Sequence, residues 1–259
     1  MSSTKEVTNI NHCKNCGKEL THIQKIKGGE FCSKGCATSF RCAAHDPNIF
    51  QIQNKHILYY IIGLIFTDGN VSKDNKKLTI SLVDKDVIEK LAPYVIDTNK
   101  RKIYQTTPKL KNASTAHTLI STNVETIKQL KELGVEANKT YTLEFPQIED
   151  AYIYDFLRGV YDGDGCVYIS NKNYGGYYSI SFTSGSQQFA NGLHDKLVAL
   201  GYSPKIVIDS RRKELEHKTY YVKLNKQDEI KDFLQNLYLN AQSIMIKNKY
   251  DKYYNKNMV

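Results

Sequence analysis

Two sets of side chains in this sequence have the type and spacing that chemistry needs. The first is sulfur: Cys13 and Cys16, then Cys32 and Cys36, form a C-x2-C-x15-C-x3-C pattern. Paired thiolates at this spacing suit the tetrahedral geometry of zinc. Four sulfur ligands leave no open coordination position, so the ion expected here is structural Zn2+ rather than a catalytic one. Cys42 and His45 are spare donors, and His45 can replace one of the four, whereas His12 and His22 read as surface residues. The second set is carboxylate: Asp68 and Asp164, each followed by glycine and each ending an apolar stretch, Ile61-Ile-Gly63-Leu-Ile-Phe66 and Leu157-Arg-Gly159-Val-Tyr-Asp162. Two carboxylates emerging at one place repel each other unless a divalent cation is held between them. An oxygen-ligated metal site is the chemistry to expect there.

The elements that must position these groups follow from local pattern. Gly17 allows a knuckle turn that aims Cys13 and Cys16 at one point, and Ser33 can cap a short helix with Cys36 on its first turn. So short a segment builds little core, and bound metal has to supply much of its folding energy. The two apolar stretches read as buried helices. A glycine inside a helix costs up to about 1 kcal/mol, so Gly63 and Gly159 call for a packing reason: contact between two helix backbones. After the first stretch, Lys77–Leu82 alternates as a half-buried strand does, and residues 84–94 form an amphipathic helix from Asp84. Strands follow near 102–107 and 116–121, then a helix over Val124–Leu133 capped by Asn123. After the second stretch the order recurs: a strand over Tyr177–Thr183, a helix over 187–200 ending at Gly201, strands near 204–209 and 218–224, and helices over 227–238 and 240–253. The expected class is α+β, with two pseudo-symmetric αββαββα halves over 47–149 and 150–259 behind a zinc-binding module over 1–46.

The paired stretches resemble the LAGLIDADG motif of homing endonucleases, a resemblance that spans most of residues 50–255, with the second copy the closer match. The first copy carries Phe66 where the family's first aspartate stands; the second carries Asp162, which reads as structural. The cysteine module resembles a treble-clef zinc finger. The family resemblance implies that Asp68 and Asp164 hold catalytic Mg2+ and that a lysine after the helix closing each half lies near the scissile phosphates. Lys139 and Lys249 are the candidates. It further implies a saddle of two antiparallel sheets over the DNA major groove, a staggered double-strand break with 3′ overhangs, an asymmetric target and a monomeric enzyme. The polar faces of the expected strands nominate Lys77, Thr79 and Ser81, then Ser179, Ser181 and Thr183, then Thr219, Tyr221 and Lys223 as DNA contacts. The loop Arg211-Arg212-Lys213 is a further candidate grip on phosphates.

Composition agrees with a polyanionic partner. Lys plus Arg number 36 against 27 Asp plus Glu, a net charge of +9. No run approaches the length of a membrane span and the chain opens without an apolar leader, so an intracellular, cytoplasmic location is expected. Two other readings remain open at this point. One is an RNA maturase that assists intron splicing, the other a DNA-binding regulator that does not cut. The module's task is equally open among a DNA-contacting arm, a protein-docking patch and a folding aid.

Overall fold

The computed structural model describes residues 11–42, 45–107, 114–170, 177–209 and 218–254. The chain forms two compact units, Met1–Asp46 with Asp97–Lys102, and Pro47–Ile96 with Ile103–Val259.

In the smaller unit a bridge between His12 and Glu19 encloses the turn that carries Cys13 and Cys16. Gly17 takes the left-handed conformation there, at φ 70°. Helix α1 (His22–Ile26) starts from a capping box of Thr21 and Gln24. Helix α2 (Lys34–Cys42) follows Ser33, whose Oγ accepts from the Cys36 N–H at 3.1 Å. The segment Asp97–Lys102 belongs to this unit through ion pairs, Arg101 to Asp46 at 2.7 Å and Lys102 to Glu30 at 3.1 Å. Little apolar surface is enclosed here; Cys13 and Leu20 are its buried hydrophobic residues among those described.

The larger unit repeats one pattern twice. The first half runs α3 (Lys55–Thr67), β1 (Gly69–Val71), β2 (Leu78–Leu82), α4 (Lys85–Val95), β3 (Tyr104–Thr106), β4 (Ala116–Ser121) and α5 (Val124–Glu132). The second runs α6 (Ile153–Asp164), β5 (Gly165–Ser170), β6 (Tyr177–Ser184), α7 (Gln187–Ala199), β7 (Lys205–Ile208), β8 (Tyr220–Leu224) and α8 (Gln227–Tyr238), followed by α9 (Lys247–Tyr254). Each half builds a four-stranded antiparallel sheet, in the orders β1-β2-β4-β3 and β5-β6-β8-β7. Alternation sorts the faces: Leu78, Ile80 and Leu82 are buried together with Leu119, while Thr79, Ser81 and Thr118 stay on the open side. In the second sheet Ile180, Phe182, Val222 and Leu224 are the buried set. Asp84, Asn123 and Ser186 cap α4, α5 and α7 with their side chains, as short polar residues at helix starts do.

One helix start departs from expectation. The last helix begins at Lys247 rather than 240, because Gln242 and Ser243 hold φ of 47° and 60° and break the chain into turns first. Helices α3 and α6 lie side by side at the middle of the unit. A Cβ on Gly63 would run into the Phe156 carbonyl oxygen and the Gly159 Cα, and one on Gly159 into the Tyr60 carbonyl oxygen and the Leu64 nitrogen. The two backbones touch at this point, and no other residue type fits there.

Candidate functional site

The contact between α3 and α6 brings their C-terminal ends together, and with them the two motif aspartates. Asp68 is the C-cap of α3, its N–H bonded to the Leu64 carbonyl at 2.8 Å, and Asp164 is the last residue of α6. A carboxylate at a helix C-terminus faces the negative end of the macrodipole, so helix stability does not explain either one. Burial raises the Asp68 carboxyl to about 6, and repulsion from Asp164 adds to the rise against the pull of Lys249 and Lys139. Asp164 is exposed, yet the protein packed around it raises its carboxyl too, against the pull of the same two lysines. A cleft of about 550 Å³ opens beside Asp68, lined also by Ser81, Gly163, Asn248 and Lys249. Gly163, which spacing did not single out, lets the halves close here: a Cβ on it would strike Thr67 Oγ1.

Both candidate lysines are found at this end, in matching places. Lys139 Nζ donates to the carbonyls of Gly69, at 2.5 Å, and Thr67, at 3.3 Å. Lys249 Nζ donates to those of Gly165, at 2.8 Å, and Gly163, at 3.2 Å, and also reaches Tyr161 and Asp162 at 2.7 and 2.6 Å. Each ammonium therefore caps the helix of its own half and straddles that half's aspartate, at the end where a cation is favoured. Burial lowers both lysines, while Asp68 and Asp164 pull each of them back up. Asp162 faces inward, 1% exposed. Burial pushes its carboxyl up to about 6, against hydrogen bonds from the Ile246 N–H and the Tyr60 hydroxyl.

The open sheet faces hold most of the nominated contacts. Lys77 is exposed just before β2, and Ser81 Oγ meets Thr118 Oγ1 at 2.6 Å. On the second sheet Ser179, Ser181, Thr183, Tyr221 and Lys223 share the open side, with Thr219 just ahead of β8. Lys223 Nζ sits 5.4 Å from the Tyr221 ring centroid. Sequence reading passed over Lys205, which pairs directly across from Lys223. Two like charges opposed on an exposed sheet destabilise it unless something anionic lies over them. No local signal could have found it, because β7 reads Lys-Ile-Val-Ile and does not alternate; only the pairing register sets the two lysines opposite. Arg211, Arg212 and Lys213 lie outside the described residues.

In the smaller unit the Sγ atoms of Cys13, Cys16, Cys32 and Cys36 all lie within 4.8 Å of one another. Cys16 and Cys32 are 3.6 Å apart, and Cys32 and Cys36 are 3.5 Å apart. These separations are too long for disulfides and close to the roughly 3.8 Å between sulfurs that surround zinc tetrahedrally at about 2.3 Å. Burial opposes ionisation of Cys13, but backbone N–H groups of Cys32, Cys16 and Asn15 outweigh it and bring the thiol down to about 6. Hydrogen bonds with Cys36 and Cys16 push Cys32 the other way, up to about 12. Shared protons among crowded sulfurs are what a bound cation displaces.

Residues 151–238 match the family described as LAGLIDADG-like domain. Among solved structures, the chain is similar to the meganuclease I-SmaMI bound to uncleavable DNA, at 14% identity over 76% of this chain and 86% of that one, TM-score 0.47. It is similar to a variant of I-DmoI in complex with its target DNA in the presence of manganese, at 16% identity over 73% and 97%, TM-score 0.47. A third is the N-terminal LAGLIDADG domain of DUF199/WhiA, at 14% identity over 78% and 89%, TM-score 0.45. No curated protein matches the sequence. No helix among the described residues is long and apolar enough to cross a membrane.

Proposed function

We propose that this chain, whose residues 151–238 are a LAGLIDADG-like domain, is a site-specific double-strand DNA endonuclease that acts as a monomer. The reading rests on one observation above all: Asp68 and Asp164 stand at the ends of two helices in backbone contact, close enough that their repulsion raises Asp68. Such a pair fits a hard divalent cation, and Asp68 and Asp164 are the residues that would hold Mg2+. When bound there, the ion supplies Lewis-acid stabilisation of the charge that develops on the phosphoryl group and the leaving 3′ oxygen.

The rest is the work of the chain itself. Lys249 has three protons and four carbonyl oxygens within 2.6–3.2 Å, so it is spent on the helix end. It and Lys139 act as fixed positive charge beneath the acids, screening them, rather than as mobile donors to phosphate. The open sheet faces, with Thr79, Ser81, Ser179, Ser181, Thr183 and Tyr221, read base edges, and Lys77, Lys223 and Lys205 meet phosphates. The two faces differ in residue content, which selects an asymmetric target. Cutting leaves 3′ overhangs. The four cysteines would hold Zn2+, which contributes folding energy to a unit with little core, and that basic unit lengthens the DNA contact.

The test is Mg2+-dependent cleavage of the DNA flanking the gene's own insertion site, joined without the gene, with Asp68→Asn and Asp164→Asn alongside the wild type. Cutting that either substitution abolishes is the expected result. Tight binding without cutting would replace this reading with that of a regulator, and affinity for RNA alone with that of a maturase.

A further inference from the structure

Lys249 can meet four carbonyls only if the segment that carries it is held in place, and the second half holds it with a side chain the first half lacks. The chain enters α9 through the left-handed pair Gln242 and Ser243, and Ile246 then donates its N–H to Asp162 Oδ2 at 2.9 Å. The Tyr60 hydroxyl, from the other half's helix α3, donates to the same oxygen at 2.8 Å. Tyr60 is 0% and Asp162 1% exposed, so the bond between them is closed to water, while Asp162 and Ile246 border the cleft beside Asp68. The Arg158 guanidinium lies over the Tyr60 ring, 4.9 Å from its centroid, and helps hold the ring in place.

In the first half the position of Asp162 is taken by Phe66, whose ring packs edge-on against Phe156 at 5.4 Å and offers no acceptor. The turn carrying Lys139 is followed by a different anchor: Ser186 Oγ donates to the Leu143 carbonyl at 2.5 Å. The two lysines occupy matching positions on unlike supports.

We propose that Tyr60 and Asp162 are positioning residues for Lys249 alone, so that losing their tie slows cleavage of one DNA strand and leaves the other. This rests on the nuclease reading above. Helices α3 and α6 are in backbone contact, so they should keep their places when the tie is cut. The segment before α9 is the part free to shift, held besides by bonds from Lys90 Nζ to the Ser243 carbonyl and from Asn54 to Gln242, both at 2.8 Å.

The experiment follows each strand of a doubly labelled target in Mg2+, comparing wild type, Tyr60→Phe, Asp162→Ala, Asp162→Asn and Lys249→Met. Tyr59→Phe is the control, since that hydroxyl bonds Glu149 at an exposed edge. Tyr60→Phe and Asp162→Ala are expected to slow one strand by about tenfold or more and the other by less than about twofold, the cost of misplacing a group near the chemistry. The slowed strand should be the one that Lys249→Met slows. Asp162→Asn, whose amide oxygen can accept both bonds, should keep the strands balanced. Hydrogen exchange across residues 244–252 should quicken in Tyr60→Phe and Asp162→Ala while α3 and α6 stay protected. Equal slowing of both strands, a slowed strand other than that of Lys249→Met, or unchanged exchange would overturn the proposal. A wild type that cuts no DNA would refute the nuclease reading instead, and the exchange arm would still decide whether the tie positions Lys249.

Discussion

Removing the charge of Asp68 should make the Mg2+-free protein more stable at neutral pH. The carboxyl ordinarily titrates at 3.8 and is raised here to about 6, first by burial and then by Asp164. The folded state thus binds this proton more tightly than the unfolded chain does. Stability from this group is therefore lost as pH rises from about 4 to about 6, and the full penalty stands above 6. The difference corresponds to at most about 3 kcal/mol, and the partly open carboxyl brings the expectation to about 1–3 kcal/mol. At roughly 2–4 °C per kcal/mol for a unit of this size, Asp68→Asn should raise the melting temperature by about 2–12 °C at pH 7.5. The gain should fall to about half at pH 5, where the native carboxyl is already largely protonated. The assay is thermal unfolding of the larger unit in Mg2+-free buffer without chelator, so that the cysteine cluster keeps its ion. Added Mg2+ should stabilise the wild type more than Asp68→Asn and close the gap. An Asp68→Asn protein that melts at or below the wild type at pH 7.5 would refute the account of two carboxyls crowded for a cation.

Other outcomes follow from the same geometry. Gly159→Ala, which drives a Cβ into the Tyr60 carbonyl and the Leu64 nitrogen, should cost about 3 kcal/mol or more in denaturant unfolding; at exposed Gly35 a Cβ would meet only Ser33 Oγ, at 3.6 Å, and the same change should cost little. Metal analysis should return one zinc per chain, and Cys36→Ser should lose it, with near-ultraviolet or exchange signals of residues 11–42 collapsing while the larger unit's transition is kept. Lys205→Ala and Lys223→Ala should each reduce the slope of log affinity against log salt by about 0.9, and each should relieve like-charge repulsion in the free protein. Neither should change which sequence is preferred, which a target-library selection reads directly.

Much of this arrangement was legible because its signals are local. The recurrence of an apolar helix, Asp-Gly and alternating strands locates Asp68, Asp164 and three strands of each sheet, since periods of 3.6 and 2 are written within a few residues of sequence. The short leading strands β1 and β5 and the order in which strands pair were not read. The cysteine spacing likewise placed four sulfurs together, with Ser33 as the cap that orients Cys36. What stayed hidden depends on distance along the chain. Nothing near Asp97–Lys102 says that this segment folds with the smaller unit; the bond that decides it is Arg101 to Asp46. The start of α9 was misplaced because Gln242 and Ser243 adopt left-handed conformations without the glycine that usually announces them. Lys139 and Lys249 were found by position, but their engagement with helix carbonyls could be read only from coordinates.

The bare contact at Gly63 and Gly159 also acts as a ruler. Two helices that meet main chain against main chain have no side-chain layer to compress or repack, so the separation of Asp68 and Asp164 is set by peptide geometry. The residues that face outward from the sheets can drift without altering that separation. For the endonuclease reading this divides the molecule's tasks in two: the offset between the two cuts would be held by the helix pair, while target preference would rest on the sheet faces. Retargeting such a chain by recombining sheet-face residues should change where it cuts and leave the length of the overhang as it was.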